Sequence, residues 1–197
     1  MKTLRTVHLV GNEIQQILPE LGALRIQVFR DYPYLYEGNL AYEENYLQIY
    51  TSSEESIVVG IYDDNRLIGA TSGMPLKHET TEIQKAFIST NISVETVFYF
   101  GESIVLPAYR GKGLGHLFFD KREQHALKLG YTTTAFCSVI RPEKHPLKPV
   151  NYRDNSVFWS KRNYLPQEGM ICQMSWLDLG ETEETVKDLQ FWIKTWK

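Results

Sequence analysis

Hydrophobic positions along the chain change period several times, and each change marks an element. Residues 3–10 alternate loosely and predict a first strand, with Leu4 and Leu9 among its core candidates. Ile14, Ile17, Leu18, Leu21, Leu24 and Val28 fall at helical spacing across 13–30, but Pro19 and Gly22 interrupt the run and predict a broken or kinked helix. A turn-rich aromatic stretch follows, Tyr32-Pro33-Tyr34-Leu35-Tyr36-Glu37-Gly38, and then a second helix over 40–50. Residues 56–62 and 66–74 are β-branched or apolar runs around Asp63-Asp64-Asn65, a hairpin signature. The polar stretch 77–93 reads as a surface excursion holding a short helix near 81–87.

In the second half, 96–106 predicts a strand that Pro107 ends, and 113–129 a helix closed by Gly130 at the left-handed stop position. Leu114, Leu117, Phe118, Ala126 and Leu129 form that helix's apolar stripe; Lys121 and Arg122 interrupt it and are expected to snorkel or pair. A strand over 132–140, a loop over 142–154 with three prolines, and a short helix over 155–162 come next. Strands over 170–177 and 189–196, joined by the acidic 181–188, finish the chain. Without repeats or a linker, residues 1–197 predict a single domain.

Arg110-Gly111-Lys112-Gly113-Leu114-Gly115 sits between a predicted strand and a predicted helix, where several backbone N–H groups can surround a phosphate. The glycines allow close approach and a tight turn, while Arg110, Lys112 and the helix dipole favour an anion. A nucleoside triphosphate loop needs four residues between its first glycine and Gly-Lys-Ser/Thr, and no segment has them. A dinucleotide fingerprint counted from Gly111 would put its third glycine at His116, and no acidic residue closes the following strand. A strand-to-helix turn with solvated charges is the plain alternative.

The segment from Ile104 to Gly115, IVLPAYRGKGLG, resembles the Arg/Gln-x-x-Gly-x-Gly/Ala motif of the Gcn5-related N-acetyltransferase (GNAT) superfamily. The order of elements is also similar to that family's, and Asn155-Ser156-Val157-Phe158-Trp159-Ser160-Lys161-Arg162-Asn163-Tyr164 resembles its Asn-containing helix. The resemblance implies an α/β fold of the α+β kind, with a mixed, mostly antiparallel sheet of about seven strands flanked by helices. It implies acetyl-CoA, or another acyl-CoA, as cosubstrate and an amine of a small molecule or peptide as acceptor. Gly111, Lys112, Gly113, Leu114 and Gly115 with Arg110 would hold the diphosphate and Asn155 would join the coenzyme site. Backbone N–H groups near Ile104 and Val105 would face the thioester carbonyl in a gap between two splayed strands. The aromatic stretch with Tyr32, Tyr34, Tyr36 and Glu37 would line the acceptor groove.

The implied reaction is attack of an amine on a thioester through a tetrahedral intermediate, which needs a base, an oxyanion donor and, for some leaving groups, an acid. Strict alternation in Phe98-Tyr99-Phe100-Gly101-Glu102-Ser103-Ile104 puts Glu102 on the face of Phe98, Phe100 and Ile104. An apolar surround there would raise its pKa toward a useful base. A bulge at Gly101 turning Glu102 away, or a buried arginine pairing with it, is the competing expectation. Trp159 stands where many family members carry the tyrosine that protonates the thiolate. That leaves Tyr152, favoured, or Tyr164 as acid, or a thiolate that departs unaided. The same Trp159 supports a rival reading, a sensor that binds acyl-CoA without chemistry.

Composition narrows the remaining classes. With 43% hydrophobic residues in 197 a core of ordinary size is affordable, and a formal charge of −3 supplies no broad positive field for nucleic acid. No run approaches a membrane span and the N-terminus lacks a signal peptide's apolar stretch, so a cytoplasmic location is expected. Cys137 and Cys172 sit in apolar, strand-like contexts far apart in sequence, and the five histidines have no ligand spacing, so no metal is expected. Pairing of two chains as a homodimer through the final strands stays open.

Overall fold

The hairpin at Asp63-Asp64-Asn65 starts the sheet. Asp64 takes a φ of +52°, which a short polar side chain tolerates, and the turn joins β2 (Ile57–Asp63) to β3 (Arg66–Pro75). β1 (Arg5–Val10) pairs antiparallel with β2. The computed structural model describes residues 4–196, so Thr3 of the predicted first strand lies outside the described residues. With β4 (Val97–Val105), β5 (Thr133–Val139), β6 (Leu165–Trp176) and β7 (Thr185–Thr195) the sheet has seven strands in the order β1-β2-β3-β4-β5-β7-β6. Only β4 and β5 are parallel, which is the mixed, mostly antiparallel sheet expected from the sequence.

The helices form where the 3.6-residue period requires, with local differences. The first one starts as a 3-10 turn, Gly11–Ile17, and continues as α1 (Leu18–Phe29), so the break falls just before Pro19, which occupies the first turn where its missing N–H is harmless. Gly22 does not interrupt α1. It lets α2 (Leu40–Leu47) approach, because a Cβ on Gly22 would lie 3.1 Å from the Glu43 Cβ. The 77–93 stretch is less superficial than its polarity implies: Ile83 of α3 (Thr81–Lys85) and Phe87 are buried against Met170, Leu189 and Phe191. In α4 (Leu114–Lys128) the buried stripe is rotated from the expected one, to Phe118, Phe119, Arg122, Glu123 and Ala126, while Leu129 beyond its end is exposed. Gly130, φ +88°, stops α4 as expected, and Asn163, φ +65°, follows α5 (Ser156–Lys161). β6 and β7 begin earlier than predicted because their first residues are mostly polar, the apolar Leu165 and Val186 are exposed, and the buried Lys187 carries a charge.

Two irregularities in β4 shape everything near the site. Thr71 pairs with Ser103 but Gly73 pairs with Phe100, so β4 holds one more residue than β3 across this interval. The bulge reverses the alternation: Phe98 and Phe100 pack toward α4, with Phe100 edge-on to Phe119, whereas Glu102 reaches Arg25 of α1. Glu102 is therefore not on the face of Phe98 and Phe100, as strict alternation required. Second, β4 pairs with β5 only through Val97, Phe98 and Tyr99, after which the two strands diverge.

Arg122 resolves the predicted conflict in the α4 stripe. Its side chain is fully buried, lies 4.1 Å over the Phe100 ring, and donates from Nη1 to the carbonyls of Ser72 and Glu102 at 3.2 and 3.3 Å. Burial pulls its pKa down to about 10, which still leaves it charged at neutral pH. The hydroxyl of Thr71 donates to the same Glu102 carbonyl at 2.7 Å. From the other face the Tyr50 hydroxyl fills the space over Gly101, where an added Cβ would lie 1.9 Å from it. Gly101→Ala is expected to lower stability in chemical denaturation by about 1–3 kcal/mol through overpacking. Adding Tyr50→Phe should recover part of that loss, and an unchanged midpoint for Gly101→Ala would show that the bulge accepts a side chain.

Candidate active site

Where β4 and β5 part, a groove of about 980 Å³ opens along the sheet. One end is built by the glycine loop. Gly111 and Gly113 take φ of +75° and +81°, and nothing lies within 4 Å of a Cβ at either, so the loop needs them for backbone conformation and open approach rather than for internal packing. Leu114, Gly115 and His116, in the first turn of α4, line the groove where helical N–H groups have no intrahelical acceptor. Arg110 lines it too, with Nε donating to the Val105 carbonyl at 3.0 Å and a 3.3 Å contact to Asp31. Lys112 is not on the groove wall; its ammonium lies 4.8 Å over the Tyr109 ring.

Farther along, Ile104, Val105, Tyr152 and Asn155 all face the groove. The Leu106 N–H donates to the Ile68 carbonyl, so by alternation Ile104 points its N–H toward β3 and Val105 points its own toward the gap. Of the two oxyanion donors implied by the resemblance, Val105 alone is suitably turned. Trp159 stacks edge-on against Phe136 and Trp192, each at 5.0 Å, and has no titratable group to offer. Tyr164 is removed as an acid candidate: fully buried, it bonds Thr134 at 2.8 Å and Glu123 at 3.1 Å away from the groove. Tyr152 meets Tyr32 edge-on at 4.6 Å, and burial together with Tyr32 and Asp154 raises its phenol pKa, so it keeps its proton at neutral pH.

A second, smaller pocket of about 100 Å³ meets the groove at Phe29, Tyr34, Gly101, Glu102 and Cys137, which line both. Glu102 is 4% exposed, and what it meets is a charge: the arginine partner of the competing expectation, rather than an apolar surround. Arg25 bonds it through Nη1 and bonds the fully buried Glu43 through Nε at 2.5 Å. The guanidinium lies between the rings of Phe29 and Tyr46, at 5.0 and 4.8 Å. Burial opposes the Arg25 cation, but Glu102 and Glu43 outweigh it and hold its pKa well above the ordinary value. The outer wall is the aromatic loop, clamped by the end of the chain: Arg141 bonds the Pro33 and Tyr34 carbonyls and forms a two-pronged pair with Asp178, while the Trp176 indole N–H donates to the Tyr34 carbonyl.

Sequence reasoning missed Arg25, Glu43 and Trp176. The first two did leave a signal. Arg25 lies four residues after Leu21 on the apolar stripe of α1, and Glu43 precedes Leu47 and Tyr50 on that of α2. Trp176 gave none, because it enters through a β6–β7 hairpin 142 positions from its partner Tyr34. Among the described residues no group of three or more His, Cys, Asp or Glu could hold a metal ion, and no helix is long and apolar enough to cross a membrane.

The groove, the glycine loop and the parted strands agree with a sequence comparison in which the model of the acetyltransferase (GNAT) family matches residues 23–146. The chain belongs to the GNAT family. No curated protein sequence matches it. Solved structures share its fold at low identity. An N-acetyltransferase from Staphylococcus aureus Mu50 is 12% identical, with 98% of this chain and 99% of that one covered and a TM-score of 0.59. The yncA protein from Salmonella typhimurium, with its cofactor acetyl-CoA, is 12% identical over 98% and 94%, TM-score 0.59. A ribosomal-protein-alanine N-acetyltransferase from Brucella melitensis is 11% identical over 98% and 99%, TM-score 0.60. In this GNAT chain the family match stops before Trp176, so the clamp over the small pocket extends outside the matched segment.

One buried group near the pocket gives a pH signature. Burial, and then the charge of Glu102, push the Glu79 carboxyl from 4.5 up to about 7, although the Thr80 N–H donates to it at 2.8 Å. Between those values the folded state holds a proton that the unfolded chain has released, so stability falls as pH rises from about 4.5 to about 7, by roughly 3 kcal/mol at most. Glu79→Gln is expected to flatten this slope and to be more stable than the parent at pH 8 in denaturant titrations. A slope that persists in the variant would assign the effect elsewhere.

Proposed function

We propose that this GNAT-family protein is an N-acyltransferase that moves an acetyl group from acetyl-CoA, or a longer acyl group from another acyl-CoA, directly to an amine. The observation that carries this reading is the meeting of two compartments at Glu102, a long groove that ends in a phosphate-type loop and a small pocket lined by carboxylates. The residues fit the coenzyme: Gly111, Gly113, Leu114 and Gly115 line the loop end of the groove at a helix N-terminus, with open space beside Gly111 and Gly113, Arg110 brings charge to that wall, and Asn155 lines it farther along. The parted strands leave a channel for a flexible arm. When bound, the thioester supplies an activated acyl carbon.

The chain's own residues then have separable tasks. Val105 presents a backbone N–H where negative charge would develop on the carbonyl oxygen. Glu102 has one carboxylate oxygen held by Arg25 and a second, buried one without a partner, placed to take the amine's proton. Tyr152 keeps its proton and faces the groove, so it serves as the donor to the leaving sulfur in place of the tyrosine that Trp159 replaces. Trp159 also favours a second reading, an acyl-CoA sensor without turnover. A thiol-release assay with acetyl-CoA and an amine panel separates the two.

Glu102→Gln is expected to lower kcat by about 100-fold or more with little change in CoA affinity, the scale of losing a general base. Equal kcat in the variant would remove Glu102 from proton transfer. Gly113→Val should weaken CoA binding, read as loss of the thermal shift that saturating CoA gives, because a β-branched residue is strained at a φ of +81°. A full shift in that variant would mean that the loop does not hold the coenzyme.

A further inference from the structure

The small pocket is lined by two carboxylates, Glu43 and Glu102, against one guanidinium, and the choice of its guest rests on the acyl-transfer function proposed for the groove. Each carboxylate is at least nine-tenths buried and each has one oxygen, Oε1, with no hydrogen bond inside 3.5 Å, although the Tyr36 hydroxyl lies close enough to Glu43 for that carboxylate, after burial, to raise the phenol's pKa. Leaving such oxygens unpaired where they are buried is costly, and a ligand that donates to both relieves the cost. The rings of Tyr36, Tyr42, Tyr46 and Trp176 add to the wall. Aromatic rings beside carboxylate oxygens suit an organic cation better than an anion, for which the pocket offers only the Arg25 guanidinium that Glu43 and Glu102 already share.

The free volume, about 100 Å³, sets the size of the guest. An engineered cavity of about 150 Å³ holds benzene, so this one takes roughly four or five non-hydrogen atoms in line. The guest's nitrogen has to lie where the pocket meets the groove, beside Glu102. A carboxylate on the neighbouring carbon would then enter the same spot as a third carboxylate against the single Arg25. We propose that the acceptor is an unbranched primary alkylammonium group with no carboxylate next to its nitrogen, drawn in by Glu43 and Glu102 and walled by aromatic rings. The same chemistry can be presented by a free short alkylamine or by a lysine side chain.

The test uses the full chain with acetyl-CoA and four acceptors: n-butylamine, an Nα-acetyl-lysine amide, norvaline and an Ala-Ala dipeptide. Released thiol gives kcat/KM, and calorimetry on the CoA-saturated protein gives amine affinity without turnover. The first two acceptors are expected to exceed norvaline and the dipeptide by about 100-fold in kcat/KM, the scale of an uncompensated buried charge. Their ratio to each other tells a free amine from a lysyl side chain. Glu43→Gln is expected to raise the KM of n-butylamine on the order of 30-fold, with the CoA thermal shift retained. Norvaline or the dipeptide as the better acceptor overturns the proposal and leaves acyl transfer standing. Saturable n-butylamine binding without thiol release from any acceptor supports the pocket and overturns acyl transfer. No saturable binding of either alkylammonium overturns the proposal outright.

Discussion

One inserted residue in β4 is the constraint on which the rest of the site depends. The bulge opposite Ser72 turns Glu102 to the side of α1 and α2 while Phe98 and Phe100 stay with α4. An irregular strand in the middle of a sheet leaves backbone groups off the ladder, and each must find another partner. Arg122 and Thr71 take the Glu102 carbonyl and the Ser72 hydroxyl takes its N–H, so the bulge is satisfied from three directions. Without that closure β4 would regain its alternation, and the carboxylate between groove and pocket would point into a cluster of phenylalanines.

The same region explains which charges a small core can tolerate. Arg122 is buried with aromatic rings and carbonyls, Arg25 is partly covered by aromatic rings and carboxylates, and the two arginines approach the same bulge from opposite layers. Neither arrangement adds much net stability, because desolvation consumes most of the attraction. Their effect is geometric: a planar guanidinium with forked donors fixes the direction of each group it touches. Around Arg25 the result is two carboxylates whose outer oxygens are left for something else.

Most of the scaffold was legible in the sequence, and the site was legible in halves. The glycine loop announced itself because backbone conformation and charge must sit within a few consecutive residues, and the structure places Gly111, Gly113 and Gly115 with Arg110 there while carrying Lys112 outward onto Tyr109. The acceptor side did not, because Arg25, Glu43, Glu102 and Trp176 come from four separate elements and only the fold brings them together. Alternation failed at Glu102 because the bulge at Gly101, which the sequence offered only as the competing expectation, is what forms. The α4 stripe failed at Arg122 since a charge on an apolar face looks like an interruption until its acceptors are known.

The clamp on the aromatic loop also has a consequence in time. Tyr34 waits for Trp176, 142 positions later, and for Arg141 and Asp178 to close the outer wall of the small pocket. At ribosomal speeds of about 5–20 residues per second, roughly 7 to 28 s pass between synthesis of the loop and synthesis of its latch. Until then the carboxylates of α2 and β4 can remain hydrated. Their dehydration, the least favourable event in forming this pocket, is thereby deferred to the last hairpin, when the remaining packing is present to drive it.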